Sequence, residues 1–223
     1  MNIDNTTSDP QRRTIQRYTP NERTNHWFVA IVFILSAISG LALFHPALYW
    51  LSALLGGGTW TRILHPFLGL VMAIAFALLA AAMWKFNKME PRDWQWLRQG
   101  RDVINNREER LPEVGRYNAG QKLLFFVLVV SILGLLLSGI VIWRQFFSMY
   151  FSLGMIRVAA VVHAICAFVL ICAIVVHIYA AFWVKGSIAA MTRGTVTPGW
   201  AWKHHRAWFR EKLHATHPRP RSD

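Results

Sequence analysis

The sequence is poor in acidic residues and in cysteine, and each scarcity excludes a class of site. Asp and Glu number 11 among 223 residues, against 24 Lys and Arg, so the formal charge is +13. The 2 cysteines, Cys166 and Cys172, are six residues apart and fall on different faces of a predicted helix. An internal disulfide is therefore not expected. Neither cysteine has a second thiol nearby, so metal binding through them is not expected either. The chain also lacks an internal repeat and a catalytic nucleophile motif.

Four long segments are apolar enough to cross a membrane and are almost free of charge between their ends. They cover residues 27–44, 64–84, 123–143 and 158–184. About 25 polar residues precede the first segment, so we expect an uncleaved anchor and not a cleaved signal peptide. The sequence therefore predicts an all-α membrane protein, a four-transmembrane-helix up-down bundle over residues 26–187. A polar tail, residues 1–25, precedes this bundle, and a basic tail, residues 188–223, follows it.

The positive charge is distributed as expected for a membrane protein. Of the 24 Lys and Arg residues, 21 lie in the two tails and in the loop between the second and third spans. The other two loops hold the remaining 3. This pattern follows the positive-inside rule and predicts that both termini are cytoplasmic. We therefore interpret the basic residues as orientation signals and lipid contacts, and we expect no nucleic-acid partner.

The fourth span contains two histidines, His163 and His177. A step of 14 residues corresponds to roughly 21 Å along a helix, most of the thickness of the hydrocarbon layer. The same step brings the second side chain to within roughly 40° of the first around the helix axis. One helix thus presents two imidazoles on one stripe, each near a different membrane face. Ionisable side chains inside a bilayer are costly, and they usually mark function.

The predicted topology sorts four histidines into two pairs by depth. His26 begins the first span and shares the cytoplasmic level with His177, while His65 begins the second span and shares the outer level with His163. Helix bundles bind planar cofactors between facing helices in this way, and haem iron accepts two neutral imidazoles as axial ligands. The sequence therefore predicts two bis-histidine b haems, an outer one on His65 and His163 and an inner one on His26 and His177.

Other roles remain open for the histidines. Each could be a hydrogen-bonded packing residue, whereas a zinc site would require about four clustered ligands and these form two separate pairs. His45, at the outer end of the first span beside Pro46, is expected to be an interfacial residue. Solvated side chains are expected at the four histidines of the basic tail, His204, His205, His214 and His217.

Several stretches together resemble one family. They are His26-Trp27 with Ser39-Gly40, Arg62 to Phe67, Gly115 to Lys122, His163 with His177, and Ala181 to Ser187. In these stretches, and from about residue 16 to about residue 210, the chain resembles the cytochrome b (gamma) subunit of respiratory membrane-bound formate dehydrogenase. The paired histidines are shared with other di-haem cytochromes, so the loop stretches carry the specific part of the resemblance.

The resemblance implies a complex in the bacterial inner membrane that serves anaerobic respiration. A molybdenum or tungsten catalytic alpha subunit would oxidise formate on the outer face. An iron–sulfur beta subunit, held by its own membrane helix, would pass electrons to the outer haem, and they would then cross to the inner haem. A quinone would be reduced near the cytoplasmic face. The resemblance also suggests a trimer of heterotrimers.

The resemblance further implies a quinone site. Its residues would be Asn118, Gly120, Gln121 and His177. Asn and Gln side chains can donate to a quinone carbonyl, and glycine lets the backbone approach closely. The alternative is that Asn118 only caps the third span. Arg62, Arg144 and Lys185 lie near the expected positions of the haem propionates and are candidates to pair with them. The alternative is that these side chains anchor the helices at the membrane edge.

Two rival functions remain at this point. The first is the cytochrome b subunit of a membrane nickel–iron hydrogenase or thiosulfate reductase, which shares the architecture and differs in its electron donor. The second is a haem-free transporter whose histidines relay protons. A molybdopterin-containing partner would distinguish formate dehydrogenase from the hydrogenase, and an optical spectrum would identify haem.

Overall fold

The computed structural model describes residues 14–105 and 107–216, and these residues are mostly helical. The α-helices are α1 (Pro20–Phe44), α2 (Gly58–Met83), α3 (Pro91–Arg98), α4 (Gly100–Ile104), α5 (Ala119–Ile142), α6 (Leu153–Trp183), α7 (Ser187–Arg193), α8 (Pro198–His204) and α9 (Arg206–Thr216). Short 3₁₀ helices cover Pro46–Leu55, Trp84–Phe86, Glu108–Arg110 and Ser148–Tyr150. Two strands, β1 (Ile15–Gln16) and β2 (Thr195–Val196), pair antiparallel.

Four helices are long and apolar enough to cross a membrane, which confirms the predicted number of spans. They are α1, α2 with its continuation to Phe86, α5 and α6. Only 11 to 33% of the residues in their most apolar windows are buried inside the chain. Large apolar side chains therefore remain on the helix surfaces, as expected for helices surrounded by lipid or by partner helices.

The membrane helices begin earlier than the hydropathy pattern predicted, and polar caps extend α1 and α5. Pro20 occupies the first turn of α1. The Thr19 amide donates to Glu22 Oε2 over 2.8 Å, and the Glu22 amide donates to Thr19 Oγ1 over 3.3 Å. This is a capping box, which satisfies amide groups that have no partner inside the helix. Helix α5 begins with the same kind of reciprocal cap, between Asn118 and Gln121.

One compact unit contains residues 24–84 and 124–180, the apolar parts of the four long helices. Its core draws a side chain from each of them. The buried members are Val32, Met72, Ala73, Phe76, Ile132 and Leu170. Because all four helices contribute to one apolar cluster, their contacts fix the helix rotations that aim the histidines.

Of the described residues, the second unit contains 14–23, 85–105, 107–123 and 181–216. Strands β1 and β2 pair within it, with Ile15 opposite Val196. Its apolar core is formed by Ala190, Val196, Ala201 and Trp208. The described parts of both tails therefore fold together with the long loop.

The second unit also contains a buried ion pair. Lys122 Nζ lies 2.7 Å from Asp93 Oδ2, and only 5% and 7% of the two side chains are exposed. The same ammonium group donates to the Lys88 carbonyl over 2.9 Å. Two charges removed from water in this way require each other, because either one alone would be buried without a counter-charge.

Candidate haem-binding site

The unit built from the long helices contains two facing pairs of imidazoles. His65 on α2 faces His163 on α6, with ring centroids 6.2 Å apart. His26 on α1 faces His177 on α6, again with centroids 6.2 Å apart. All four side chains are half-buried. The structure therefore brings together the residues that the sequence paired by depth, and it does so at the same spacing in both pairs.

The spacing fits a metal between the rings. A nitrogen–metal bond of about 2.0–2.1 Å on each side, with each ring centre about 1 Å beyond its bonded nitrogen, puts the centroids of an axial pair about 6 Å apart. Conversely, rings at 6.2 Å have facing nitrogens about 4 Å apart at closest, too far for a direct hydrogen bond of about 2.7–3.2 Å. The spacing of both pairs therefore fits an ion between the rings and is too long for a hydrogen bond between them.

A serine fixes the tautomer of His65. Ser39 Oγ donates to the Ser36 carbonyl over 2.9 Å and lies 2.8 Å from His65 Nδ1. Since the hydroxyl proton is directed to the carbonyl, Oγ accepts from Nδ1–H. We assign the tautomer from this network. The lone pair of His65 then lies on Nε2, and a ligating histidine is usually oriented by such a partner on its other nitrogen.

His163 is held in the same way by a serine on α5. Ser138 Oγ donates to the Gly134 carbonyl over 2.5 Å and lies 3.0 Å from His163 Nδ1. The same reasoning places the proton on Nδ1 and leaves Nε2 as the acceptor. Both histidines of the outer pair thus have their second-nitrogen partner on a neighbouring helix.

A glycine follows each of these serines and makes room for the imidazole. A Cβ atom added at Gly40 would lie 3.1 Å from His65 Cε1, and one added at Gly139 would lie 3.4 Å from His163 Cε1. The first distance would force the ring to shift, and the second would just touch it. The Ser-Gly dipeptide therefore supplies both the hydrogen bond and the space for the ring.

The inner pair differs from the outer pair. The ring of His26 packs edge-on against Trp27, with centroids 5.5 Å apart. His26 Nδ1 is buried and has no hydrogen-bond partner among the described residues. A buried polar nitrogen without a partner is costly. The inner pair therefore lacks, at His26, the serine contact that orients both rings of the outer pair.

The remaining histidines have other roles. His45 precedes the 3₁₀ helix at Pro46–Leu55 and caps it, since His45 Nδ1 accepts from the Ala47 amide over 3.2 Å. His205 corrects an expectation: it is buried, with 3% exposure, and is not a solvated tail residue. His204 is half-buried and packs on Trp200. The side chain of His214 and all of His217 lie outside the described residues.

The three candidate propionate partners are exposed. Arg62 lies in the first turns of α2, Arg144 follows α5, and Lys185 follows α6. Long cationic side chains at helix ends are common anchors at a membrane surface. Their pairing with haem propionates remains a prediction.

The loop residues assigned to quinone form the start of α5. The Asn118 amide donates to Gln121 Oε1 over 3.0 Å, and the Gln121 amide donates to Asn118 Oδ1 over 2.8 Å. This cap uses the side-chain carbonyl oxygens and not the NH₂ groups, which are the donors that a quinone carbonyl would require. A Cβ at Gly120 would lie 3.4 Å from Asn118 Oδ1 and from the ring of Trp96. Capping and ligand donation are thus compatible.

Comparison with known proteins identifies the family. Residues 17–194 match the family model described as prokaryotic cytochrome b561. The chain belongs to this cytochrome b561 family. The family implies haem b and electron transport, and together with the four long apolar helices it makes the chain a multi-pass membrane protein.

Relatives of this cytochrome b561 chain are subunits of formate dehydrogenases. The cytochrome b556(fdo) subunit of formate dehydrogenase from Escherichia coli (strain K12) is 45% identical over 201 residues, covering 90% of this chain and 94% of that protein. The formate dehydrogenase cytochrome b556 subunit of Haemophilus influenzae is 42% identical, covering 90% and 84%. The nitrate-inducible cytochrome b556(Fdn) subunit of Escherichia coli (strain K12) is 40% identical, covering 85% and 88%. The resemblance drawn from the loop stretches is thereby confirmed.

Sequence reasoning missed Ser138 and Gly139, although a signal for them was present. The dipeptide Ser39-Gly40 in α1 was noted, and Ser138-Gly139 repeats it in α5. A small polar residue followed by glycine in an otherwise apolar span often marks close helix packing. Searching each span of this cytochrome b561 chain for that dipeptide would have found the second one.

Proposed function

We propose that this chain is the membrane-anchoring di-haem cytochrome b subunit of a formate dehydrogenase. It would carry electrons from an outer-face iron–sulfur subunit across the membrane to a quinone reduced near the cytoplasmic face. The observation that supports this most is that two pairs of imidazole rings face each other, each with ring centroids 6.2 Å apart. The names of the relatives support formate as the source of the electrons.

The proposed haem ligands are His65 with His163 and His26 with His177. Haem iron held by the two histidines of each pair would supply one-electron transfer. The chain itself supplies orientation. Ser39 and Ser138 accept from the Nδ1–H groups of the outer pair, so the rings keep one rotamer and present Nε2.

The quinone assignment rests on the family resemblance, which implies Asn118, Gly120, Gln121 and His177. The side-chain NH₂ groups of Asn118 and Gln121 would donate to a quinone carbonyl. Protons for the quinone would come from the cytoplasm. With formate oxidised on the outer side, this arrangement would separate charge across the membrane without pumping. The orientation, with both termini cytoplasmic, follows from the distribution of positive charge.

The proposed partners are a molybdenum or tungsten catalytic alpha subunit and an iron–sulfur beta subunit with its own membrane helix. The location would be the bacterial inner membrane, and the assembly a trimer of heterotrimers. The relatives' names favour formate over the hydrogenase and thiosulfate reductase alternatives. Formate oxidation itself would take place on the alpha subunit.

Haem stoichiometry and quinone kinetics in the purified complex test the proposal. Pyridine haemochrome analysis should give two b haems per chain, and one or none would refute the di-haem assignment. Asn118→Ala and Gln121→Ala should each raise the quinone KM about three- to tenfold, the effect of one neutral hydrogen bond. Formate should still reduce both haems in these variants. Normal quinone kinetics in both would move the quinone site elsewhere.

A further inference from the structure

Three consecutive carbonyls of the loop before α5 are held by residues from the two ends of the chain. The Val114 carbonyl accepts from the Ala207 amide over 3.1 Å. The Gly115 carbonyl accepts from His205 Nδ1 over 2.9 Å, and the Arg116 carbonyl accepts from Arg17 Nη2. We call residues 114–121 the quinone loop. Its first three residues are therefore fixed at the backbone, immediately before Tyr117 and Asn118.

His205 connects two of these contacts. Its Nδ1 must carry a proton to donate to the Gly115 carbonyl, so Nε2 is free to accept. Arg17 Nη2 lies 3.2 Å from Nε2 and can only donate. The imidazole is thus neutral, in one tautomer, with both nitrogens used. With 3% exposure it has little room to adopt another orientation.

Arg17 is a buried cation whose surroundings are aromatic. It is 4% exposed, and its Cζ lies 4.4 Å from the centre of the Trp208 ring. Its amide donates to the Gly194 carbonyl over 2.8 Å, which fixes its backbone next to strand β2. No carboxylate of the described residues pairs with it. Burying an unpaired charge costs free energy. An apolar side chain of similar size, such as methionine, would fill the same space without that cost. What the guanidinium adds here is a set of directional hydrogen-bond donors.

The fixed backbone continues directly into the proposed quinone donors. The Tyr117 ring is 7% exposed and lies 5.9 Å from Arg17 Cζ and 6.4 Å from the ring of Phe86. The next residue, Asn118, forms the reciprocal cap with Gln121. A shift of the Gly115 or Arg116 carbonyl would therefore be transmitted through a packed ring to the cap.

We propose that Arg17 and His205 are positioning residues that set where the quinone loop presents the NH₂ groups of Asn118 and Gln121. This inference rests on the proposed function, because it presupposes that the loop binds quinone. Neither residue touches the quinone. They act by holding the carbonyls of Gly115 and Arg116 in place. Three segments distant in sequence thus meet at one turn of backbone.

The test uses the assembled complex and four variants of this chain. His205→Phe keeps a ring and removes both hydrogen bonds, whereas His205→Asn can still donate to the Gly115 carbonyl. Arg17→Lys keeps the charge but loses the planar set of donors. Arg193→Met is the matched control, since it removes an exposed cation from the same unit. Two rates are measured: haem reduction by formate, and reduction of a short-chain menaquinone analogue with separate KM and kcat.

His205→Phe and Arg17→Lys should raise the quinone KM about three- to tenfold, the size expected for one misplaced hydrogen bond. The rate of haem reduction by formate should be unchanged in both. His205→Asn should restore most of the KM, and Arg193→Met should equal the wild type. If Arg17 and His205 only stabilised the fold, the substitutions would instead lower both rates in proportion to the amount of assembled complex.

The outcomes separate this inference from the proposed function. An unchanged quinone KM in His205→Phe and Arg17→Lys, with a raised KM in Asn118→Ala, would overturn the positioning role and leave the quinone loop intact. An unchanged KM in Asn118→Ala and Gln121→Ala as well would overturn the quinone site itself. If His205→Phe does not assemble, Arg17→Lys decides: a quinone KM at the wild-type value in Arg17→Lys overturns the inference.

Discussion

Ser39→Ala should disturb the outer haem specifically, because it removes the side-chain contact that fixes the His65 tautomer. Ser39 is fully buried, and its Oγ lies 2.8 Å from His65 Nδ1. The substitution deletes one small atom and removes the hydroxyl acceptor of the Nδ1–H group, so only the backbone of Ser36 remains to accept from it. Loss of a partner on the second nitrogen of a ligating histidine typically lowers metal affinity about 10- to 100-fold. We therefore expect partial loss of the outer haem during purification.

The same change should raise the midpoint potential of the outer haem that remains. The hydrogen bond from Nδ1–H increases the basicity of the imidazole, which favours the oxidised, more positive iron. One neutral hydrogen bond contributes about 0.5–1.5 kcal/mol. For a one-electron couple, about 59 mV corresponds to a tenfold change in equilibrium constant, or about 1.4 kcal/mol. The expected shift is thus positive and at most about 60 mV.

Redox titration of the two haems, with haem content per chain, measures both effects. Ser138→Ala should act in the same direction, since Ser138 Oγ lies 3.0 Å from His163 Nδ1. Ser36→Ala is the matched control, because Ser36 is buried in the same helix and its hydroxyl has no partner among the described residues. Equal potentials and haem content in Ser36→Ala, Ser39→Ala and Ser138→Ala would refute the reasoning.

Two further predictions concern the haem pairs and the folded loop. His65→Ala or His163→Ala should remove the outer haem and leave the inner one bound, whereas the control His45→Ala should keep both haems. Haem stoichiometry and optical spectra measure this, and two intact haem signals in His65→Ala or His163→Ala would contradict the pairing. Lys122→Met should lower the stability of the complex by about 3–5 kcal/mol, because its partner carboxylate stays buried without a counter-charge. Arg210→Met, which breaks an exposed ion pair with side chains 51% and 39% exposed, should cost less than about 1 kcal/mol in the same thermal unfolding assay.

The number of spans and the histidine pairs could be predicted from sequence because their signals are local or periodic. Long apolar segments identify spans without any tertiary information. The 14-residue step from His163 to His177 fixes both their depth and their shared face. The depths of His26 and His65 then follow from the alternating topology. The starts of the helices could also have been read, since Thr19 and Glu22 form a recognisable capping-box pattern ahead of the first span.

The fold of the tails could not be predicted, because it depends on contacts between distant residues. Strands of two residues carry no alternation, and β1 pairs with β2 across most of the chain. His205 looked like one of several histidines in a basic tail. Its burial depends on Arg17, which is 188 residues away in sequence. Nothing local distinguishes it from its neighbour His204, so only the tertiary structure shows which of the two is buried.

Acidification should destabilise the contact between the C-terminal helices and the quinone loop. Burial, followed by the nearby charge of Arg17, lowers the pKa of His205 to about 3. In an unfolded chain, the pKa of histidine is about 6.5. Because the folded pKa is the lower one, the unfolded chain binds more protons between these two values, and stability falls as the pH falls below about 6.5. At about pH 5.5 the loss amounts to about 1.4 kcal/mol.

Thermal unfolding of the complex at about pH 7.5 and about pH 5.5 tests this. The titratable and charged groups beside His205 are Arg17 and His204, and His204 is present in both proteins to be compared. His205→Asn cannot take up a proton, so its stability should fall less on acidification than that of the wild type. All other histidines contribute equally to the two proteins, and the difference therefore isolates His205. An equal fall in both would show that His205 is not held neutral by burial, and the tautomer that joins Arg17 to the Gly115 carbonyl would then have to be reassigned.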